Sequence, residues 1–264
     1  INPHTVVSYD DAWDAFAEIY KTLPTYPCDS DASHIPDVYS DYCWTPEKIE
    51  SGGECGNYQK EGDCYNREHS WPKSWFGGFD QGFGAESDLF ELYPTDGYVN
   101  GLRGNLPLGY VDTSQTVSYT STNGALIGNC LSDTSRRERT LRSALRNSTN
   151  TTSPSTSVDS SEETDDYNYD GKCFEIADAY KGDFARSYFY LSVCYMNIWT
   201  CCDDVAVDIS DIKPWMEAEM RQWHIDDPVD EYERAKNDII YTNYQNNRNP
   251  FIDYPELVDQ IDNF

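Results

Sequence analysis

The sequence predicts an α+β fold, mixed and helix-rich, formed as a single domain over residues 1–264. Three observations carry this expectation. Apolar residues recur at helical spacing in several separate stretches, the longest being residues 178–198. The segment from Gly109 to Cys130 alternates polar with β-branched residues, as strand and turn do. No break in composition divides the 264 residues, which are enough for one substantial core.

The first helix is expected over residues 8–22. Ser8 can cap it, and Trp13, Phe16, Ala17 and Tyr20 line one face. Residues 23–62 are rich in Pro, Asp, Ser and Gly and hold Cys28, Cys43 and Cys55, which reads as a long disulfide-tied loop region. His34 in this loop, and His4 before the first helix, read as solvated. Residues 63–77 are expected to carry a strand, residues 78–85 a connection, and residues 86–104 a loop and helix. Residues 132–170 differ in kind. Arg136, Arg137, Arg139, Arg142 and Arg146 crowd one segment, either as a helix paired with nearby acids or as a phosphate-binding patch. The run from Asn147 to Asp166 that follows is dominated by Ser, Thr and Asp. It reads as a mobile insertion with two glycosylation sequons, Asn147-Ser148-Thr149 and Asn150-Thr151-Thr152. Over residues 178–198, Phe184, Tyr188, Leu191 and Tyr195 line one side of the strongest helix. Two more helices, over residues 214–224 and 228–242, each open at a proline that suits a first helical turn.

The charge balance is 19 basic against 47 acidic residues, a net −28. Such a chain either spreads acid for solubility around one locally basic groove, or serves as a cation-binding module. Nine cysteines favour an oxidising compartment, extracellular or periplasmic, and their odd number leaves at least one unpaired within a monomer. Cys55 and Cys64 flank a short Gly-rich loop and are candidates for a local bridge. No C-x-x-C pair and no H-E-x-x-H run supports a zinc site. No apolar run is long enough to span a membrane, and the opening Ile1-Asn2-Pro3 reads as a processed start.

The chemistry concentrates in Tyr65-Asn66-Arg67-Glu68-His69-Ser70-Trp71-Pro72-Lys73-Ser74-Trp75-Phe76-Gly77. Glu68 and His69 are adjacent, so an extended backbone points them to opposite sides. One can hold a metal ion while the other handles a proton, the combination that phosphodiester hydrolysis needs. An isolated Glu-His pair is more often structural, but this stretch has company. It resembles the signature of the endonuclease I family of secreted bacterial nucleases, built on the ββα-metal, or His-Me finger, motif. The run from Glu86 to Asn105 is similar to the family's second block, that from Lys181 to Tyr190 to its helical block. Trp223-His224, Asp227-Pro228, Asn237-Asp238 and the segment from Gln245 to Pro255 are similar to its last block.

The resemblance implies a secreted, metal-dependent, non-specific endonuclease acting as a monomer on DNA, with RNA as a further substrate, and leaving 5′-phosphate products. On the same terms His69 is the general base, and Glu68 and Asn100 hold Mg²⁺, with Mn²⁺ or Ca²⁺ as alternatives. Glu86 supports the site by orienting His69 or a water. Arg103 sits near the phosphate, and Arg67, Lys73 and Arg186 contact nucleic acid. Arg186 reads equally well as a structural ion pair with Asp183. The closing stretch, Asn247 to Glu256, is expected as ordered coil. Phe90 departs from the family, many members of which have histidine there. Residues 74–87 contain no basic residue. The alternative reading is an inactive, cation-dependent extracellular binding module on the same fold.

Overall fold

A computed structural model describes residues 4–22, 28, 34–45, 56–77, 84–132, 134–136, 139 and 169–264. Helix α1 spans Asp11–Thr22. Ser8 acts at its start as expected: its Oγ accepts the Asp11 amide at 3.1 Å and donates to the Asp11 carboxylate at 2.6 Å. Ala12, Ala15, Phe16, Ile19 and Tyr20 are buried, the spacing of a helix with one apolar face.

The loop region that follows is tied as expected, by the disulfide Cys28–Cys43. Two short strands, β1 (Ile35–Pro36) and β2 (Cys43–Trp44), pair antiparallel. Asp37 shapes the turn between them. Its Oδ1 accepts the amides of Tyr39 and Ser40 at 2.7 and 2.9 Å, and its Oδ2 accepts Trp44 Nε1 at 2.8 Å. Cys64 is disulfide-bonded too, whereas Cys55 lies outside the described residues.

Strand β3 (Tyr65–His69) pairs antiparallel with β4 (Leu92–Asp96), which runs directly into helix α2 (Gly97–Arg103). The stretch that forms β4 lies where loop was expected; it contains Pro94, which has no N–H for a ladder. In this two-stranded sheet Pro94 contributes its carbonyl instead, accepting the Val38 amide at 3.1 Å.

A three-stranded antiparallel sheet follows, from β5 (Tyr119–Thr120), β6 (Leu126–Asn129) and β7 (Lys172–Glu175), in that order. The disulfide Cys130–Cys173 joins β7 to the residue that follows β6. Helix α3 (Lys181–Tyr195) is buried on all sides rather than on one, Asp183 and Val193 alone being half-exposed. Its aromatic residues meet several elements at once: Tyr188 faces Trp71 at 5.1 Å, and Phe189 faces Phe264 at 4.2 Å. Gly182 permits this enclosure, because a Cβ there would lie 1.9 Å from the Asp227 carbonyl oxygen.

A small hairpin, β8 (Val207–Asp208) with β9 (Asp211–Ile212), precedes helix α4 (Pro214–Asp226). Pro214 opens α4 as expected. Pro228 does not open the next helix, α5 (Glu231–Ile239), because Asp230 caps it by accepting the Glu233 amide at 2.9 Å. A π-helical turn, Ile240–Gln245, extends α5. The C-terminal stretch expected as coil contains a short helix α6 (Pro250–Asp253), capped by Asn249, and a 3-10 turn, Pro255–Gln260. Among the described residues no helix is long and apolar enough to cross a membrane.

Two expectations from charge and polarity change. The His4 side chain is 1% exposed and lies edge-on to Tyr195 at 6.4 Å, because the N-terminal segment packs back onto α3. Arg136 is also buried, donating to the Tyr169 carbonyl at 3.1 Å and lying 5.2 Å from the Trp215 ring. Arg139 lies over the Tyr110 ring at 3.5 Å. Arg136 also pairs with Glu219 at 3.8 Å, so the described part of the expected basic patch fits the alternative of a helix paired with acids, with aromatic rings beside it. Arg137, Arg142, Arg146, the run from 147 to 166 and residues 78–83 lie outside the described residues. Cys194 is a buried thiol, pushed up to about 12 by burial.

Burial also pushes the carboxyls of Asp37 and Glu219 up to about 8, and those of Glu91 and Asp183 in the same direction. Near neutral pH the native Asp37 and Glu219 carboxyls hold protons that the unfolded chain has already released. Their contribution to stability is full below about pH 4 and lost as pH rises through the folded value. Burial lowers His69 and His224 to about 4; their contribution is present above about pH 6.5 and lost on acidification. Between pH 8.5 and 7 the two carboxyls Asp37 and Glu219 outweigh the single opposing group, Lys236, which burial lowers to about 8, so the melting temperature is expected to rise as pH falls. Calorimetric scans at these two values check this; a lower melting temperature at pH 7 contradicts it.

Candidate active site

The strand–strand–helix unit β3–β4–α2 gathers the expected residues. Alternation along β3 separates Glu68 from His69, as the extended backbone requires. Glu68 is 3% exposed and turns towards α2. Its Oε1 accepts the Tyr39 hydroxyl at 2.7 Å and the Arg103 guanidinium. Burial pushes the Glu68 carboxyl up, against the pull of Arg103 and Tyr39.

Helix α2 begins where Asp96 caps it, Oδ1 accepting the amides of Tyr98 and Val99 at 2.8 and 3.0 Å. Asn100 and Arg103 are three residues apart and so share the face towards β3. The Asn100 amide nitrogen lies 3.4 Å from the Arg67 carbonyl and 3.5 Å from Thr95 Oγ1. This brings it to the residue preceding Glu68. Arg103, expected near a phosphate, is 1% exposed. Besides Glu68, it donates to the carbonyls of His69, Ser70 and Leu106 at 3.1, 2.9 and 3.2 Å. All of these partners are internal, so its charge is directed into β3 and the turn after it.

His69 is half-buried on the other side of the strand. Its ring stacks on Tyr9, with centroids 5.8 Å apart and planes at 15°. Its Nε2 is 2.9 Å from the Glu86 carbonyl oxygen. A carbonyl only accepts, so Nε2 carries the proton and Nδ1 carries the lone pair. Burial, aided by the nearby Lys73 charge, lowers His69 to about 4, which keeps the imidazole neutral at ordinary pH. Glu86 thus orients His69 through its backbone, while its carboxylate pairs with Lys73.

The residues expected to meet nucleic acid differ in access. Lys73 is the open one, its side chain 41% exposed. Arg67 is buried, with its guanidinium 3.6 Å from the Tyr9 ring centroid and 4.3 Å from that of Trp13. Arg186 is fully buried and bidentate to Glu233, at 2.7 and 2.5 Å, with Asp183 at 3.6 Å. The ion-pair alternative describes Arg186: a side chain enclosed in this way does not reach a phosphate at the surface.

The family model of Endonuclease I matches residues 1–142 and 132–256. The chain belongs to the Endonuclease I family. It is therefore a nuclease, an enzyme that hydrolyses phosphodiester bonds. Two curated relatives are each named "Extracellular ribonuclease", one from Bacillus subtilis (strain 168) and one from Bacillus amyloliquefaciens. Each is 30% identical to this chain over 99% of its length and 70% of the relative's.

In this Endonuclease I family member three site neighbours escape sequence reasoning. Tyr9 and Tyr39 reach the site from segments remote in sequence, and neither belongs to a motif. Glu91 is 0% exposed, and neither carboxylate oxygen has a hydrogen-bond partner among the described residues. Burial, with Asp88, Glu68 and Glu86 nearby, pushes its carboxyl well above the usual range.

Proposed function

We propose that this nuclease is a secreted, cation-dependent endonuclease that cleaves RNA, and DNA as well, without sequence preference, and leaves 5′-phosphates. One observation carries the chemical part: the Glu86 carbonyl fixes the His69 tautomer, and burial keeps the ring neutral. Nδ1 is then a fixed proton acceptor for a water molecule, the task of a general base.

The residues also suit a hard divalent cation. Both contacts to Glu68 use Oε1, and both contacts of Asn100 use its amide nitrogen. Glu68 Oε2 and Asn100 Oδ1 are the two oxygens left to hold Mg²⁺ or Mn²⁺, ions that keep several waters and need few protein ligands. Among the described residues no group of three or more His, Cys, Asp or Glu side chains is placed to hold a metal, as a closed zinc site requires. When bound, the cation supplies electrostatic stabilisation of charge on the phosphate and the leaving oxygen. The chain's own residues do the rest. His69 takes a proton at Nδ1, Glu86 and Tyr9 hold its ring, and Lys73 meets the phosphate backbone. We read β3–β4–α2 as the family's ββα-metal motif, within one domain.

RNA is placed first because both relatives are named ribonucleases. Lack of sequence preference is consistent with contacts made to phosphates, which carry no sequence information. Secretion is supported by the disulfides Cys28–Cys43 and Cys130–Cys173 and by the relatives' names.

The test is cleavage of single-stranded RNA and of supercoiled plasmid with Mg²⁺ and with EDTA. Loss of both activities in EDTA and recovery with Mg²⁺ are expected. Undiminished cleavage in EDTA overturns the cation dependence. No cleavage by a protein that still binds Mg²⁺ favours the binding-module alternative.

A further inference from the structure

We infer that Tyr39 is a positioning residue for Glu68, delivered by the disulfide-tied loop to fix which carboxylate oxygen is offered to a cation. The inference rests on the reading of Glu68 as a cation ligand and adds the device that makes it one. Tyr39 is 0% exposed, so its side chain does not reach the solvent from which a substrate arrives. Its ring packs on Phe174 at 4.6 Å and Phe184 at 6.1 Å, which fixes the direction of its hydroxyl. That hydroxyl donates to Glu68 Oε1 at 2.7 Å, the oxygen that Arg103 also holds. Two donors on one oxygen, from elements on different sides, leave the carboxylate a single orientation. Oε2 is then the atom presented, and the cation binds through one oxygen rather than two.

The loop is built for this task. Asp37 accepts the Tyr39 amide at 2.7 Å and ties the turn to Trp44 Nε1 at 2.8 Å, beside Cys43 of the Cys28–Cys43 disulfide. Three successive constraints therefore end at one phenol oxygen. Partners that orient a metal-binding side chain typically matter by 10- to 100-fold in metal affinity.

The experiment uses the whole protein and Mn²⁺ as the probe. Tyr39→Phe keeps the ring and removes the hydroxyl. Titration calorimetry without nucleic acid is expected to show Mn²⁺ binding weakened by about 10-fold or more, with the metal-free melting temperature close to that of the wild type. The Mn²⁺ concentration giving half-maximal RNA cleavage is expected to rise by the same factor, and excess Mn²⁺ to recover the rate. A general loss of structure lacks that recovery. Arg103→Lys is the second variant. It keeps a charge near Glu68, loses the guanidinium fork, and is expected to weaken Mn²⁺ binding in the same direction. Equal Mn²⁺ affinity in wild type and Tyr39→Phe overturns the positioning role alone. A wild type that binds no Mn²⁺ overturns the cation site, and this inference with it.

Discussion

His69→Ala is expected to lower turnover by about 10²- to 10⁴-fold, the usual contribution of a positioned general base. RNA binding is expected to survive, because the base acts in the chemical step and not in holding the substrate. The substitution removes the ring stacked on Tyr9 and the bond to the Glu86 carbonyl. Circular dichroism therefore accompanies the single-turnover rates. The pH profile adds a second signature. His69 is lowered to about 4, and the cation proposed at Glu68 would lower it further, since a positive charge disfavours the imidazolium. The acid limb of kcat/KM is therefore expected below about pH 5, not at the ordinary histidine value of about 6.5. Wild-type turnover in His69→Ala removes His69 from the reaction.

Arg186→Met is expected to cost about 3–5 kcal/mol of stability, the usual penalty for removing one partner of a buried pair. Arg186 is 0% exposed and holds Glu233 through both oxygens, with Asp183 beside it. Its removal leaves Glu233 without its bidentate partner, with only Lys236 left among the described residues as a buried cation near these acids. Combining Arg186→Met with Glu233→Gln is expected to recover part of the loss, since the worst uncompensated charge goes with it. Urea denaturation measures both effects. The opposite pattern, an unchanged midpoint with a raised KM for RNA, belongs to a surface phosphate contact and contradicts the buried role.

Much of the helical framework was legible in the sequence. Periodicity located α1 and α3, because residues that recur at helical spacing pack inwards, and Pro214 located the start of α4. The strand carrying Glu68 and His69 was legible too, since alternation alone predicts their opposite facing. Strand β4 was not, because its pairing is with β3, a segment more than twenty residues away, and Pro94 within it gives no local strand signal. The start of α5 was misplaced because Pro228 suits a first helical turn, whereas in the fold the Asp230 side chain caps the helix two residues later.

The arginines show the same limit more sharply. Sequence marks Arg67, Arg103, Arg136 and Arg186 as cations in an acidic chain, and a nuclease has an evident use for cations. All four are buried against carbonyls, carboxylates or aromatic rings. Charge is a property of the residue, but access is a property of the fold.

By itself the sequence determined the family, the adjacent Glu68–His69 pair and most of the helices, because each is set by residue identity or by spacing along one segment. The tertiary structure decided which nitrogen of His69 carries its proton, which oxygen of Glu68 is occupied, and which basic residues face outwards. Those choices are made by Glu86, Tyr39 and Arg103, side chains and carbonyls 17, 29 and 35 positions from the atoms they fix. No local pattern encodes a contact between segments that meet only when the chain folds.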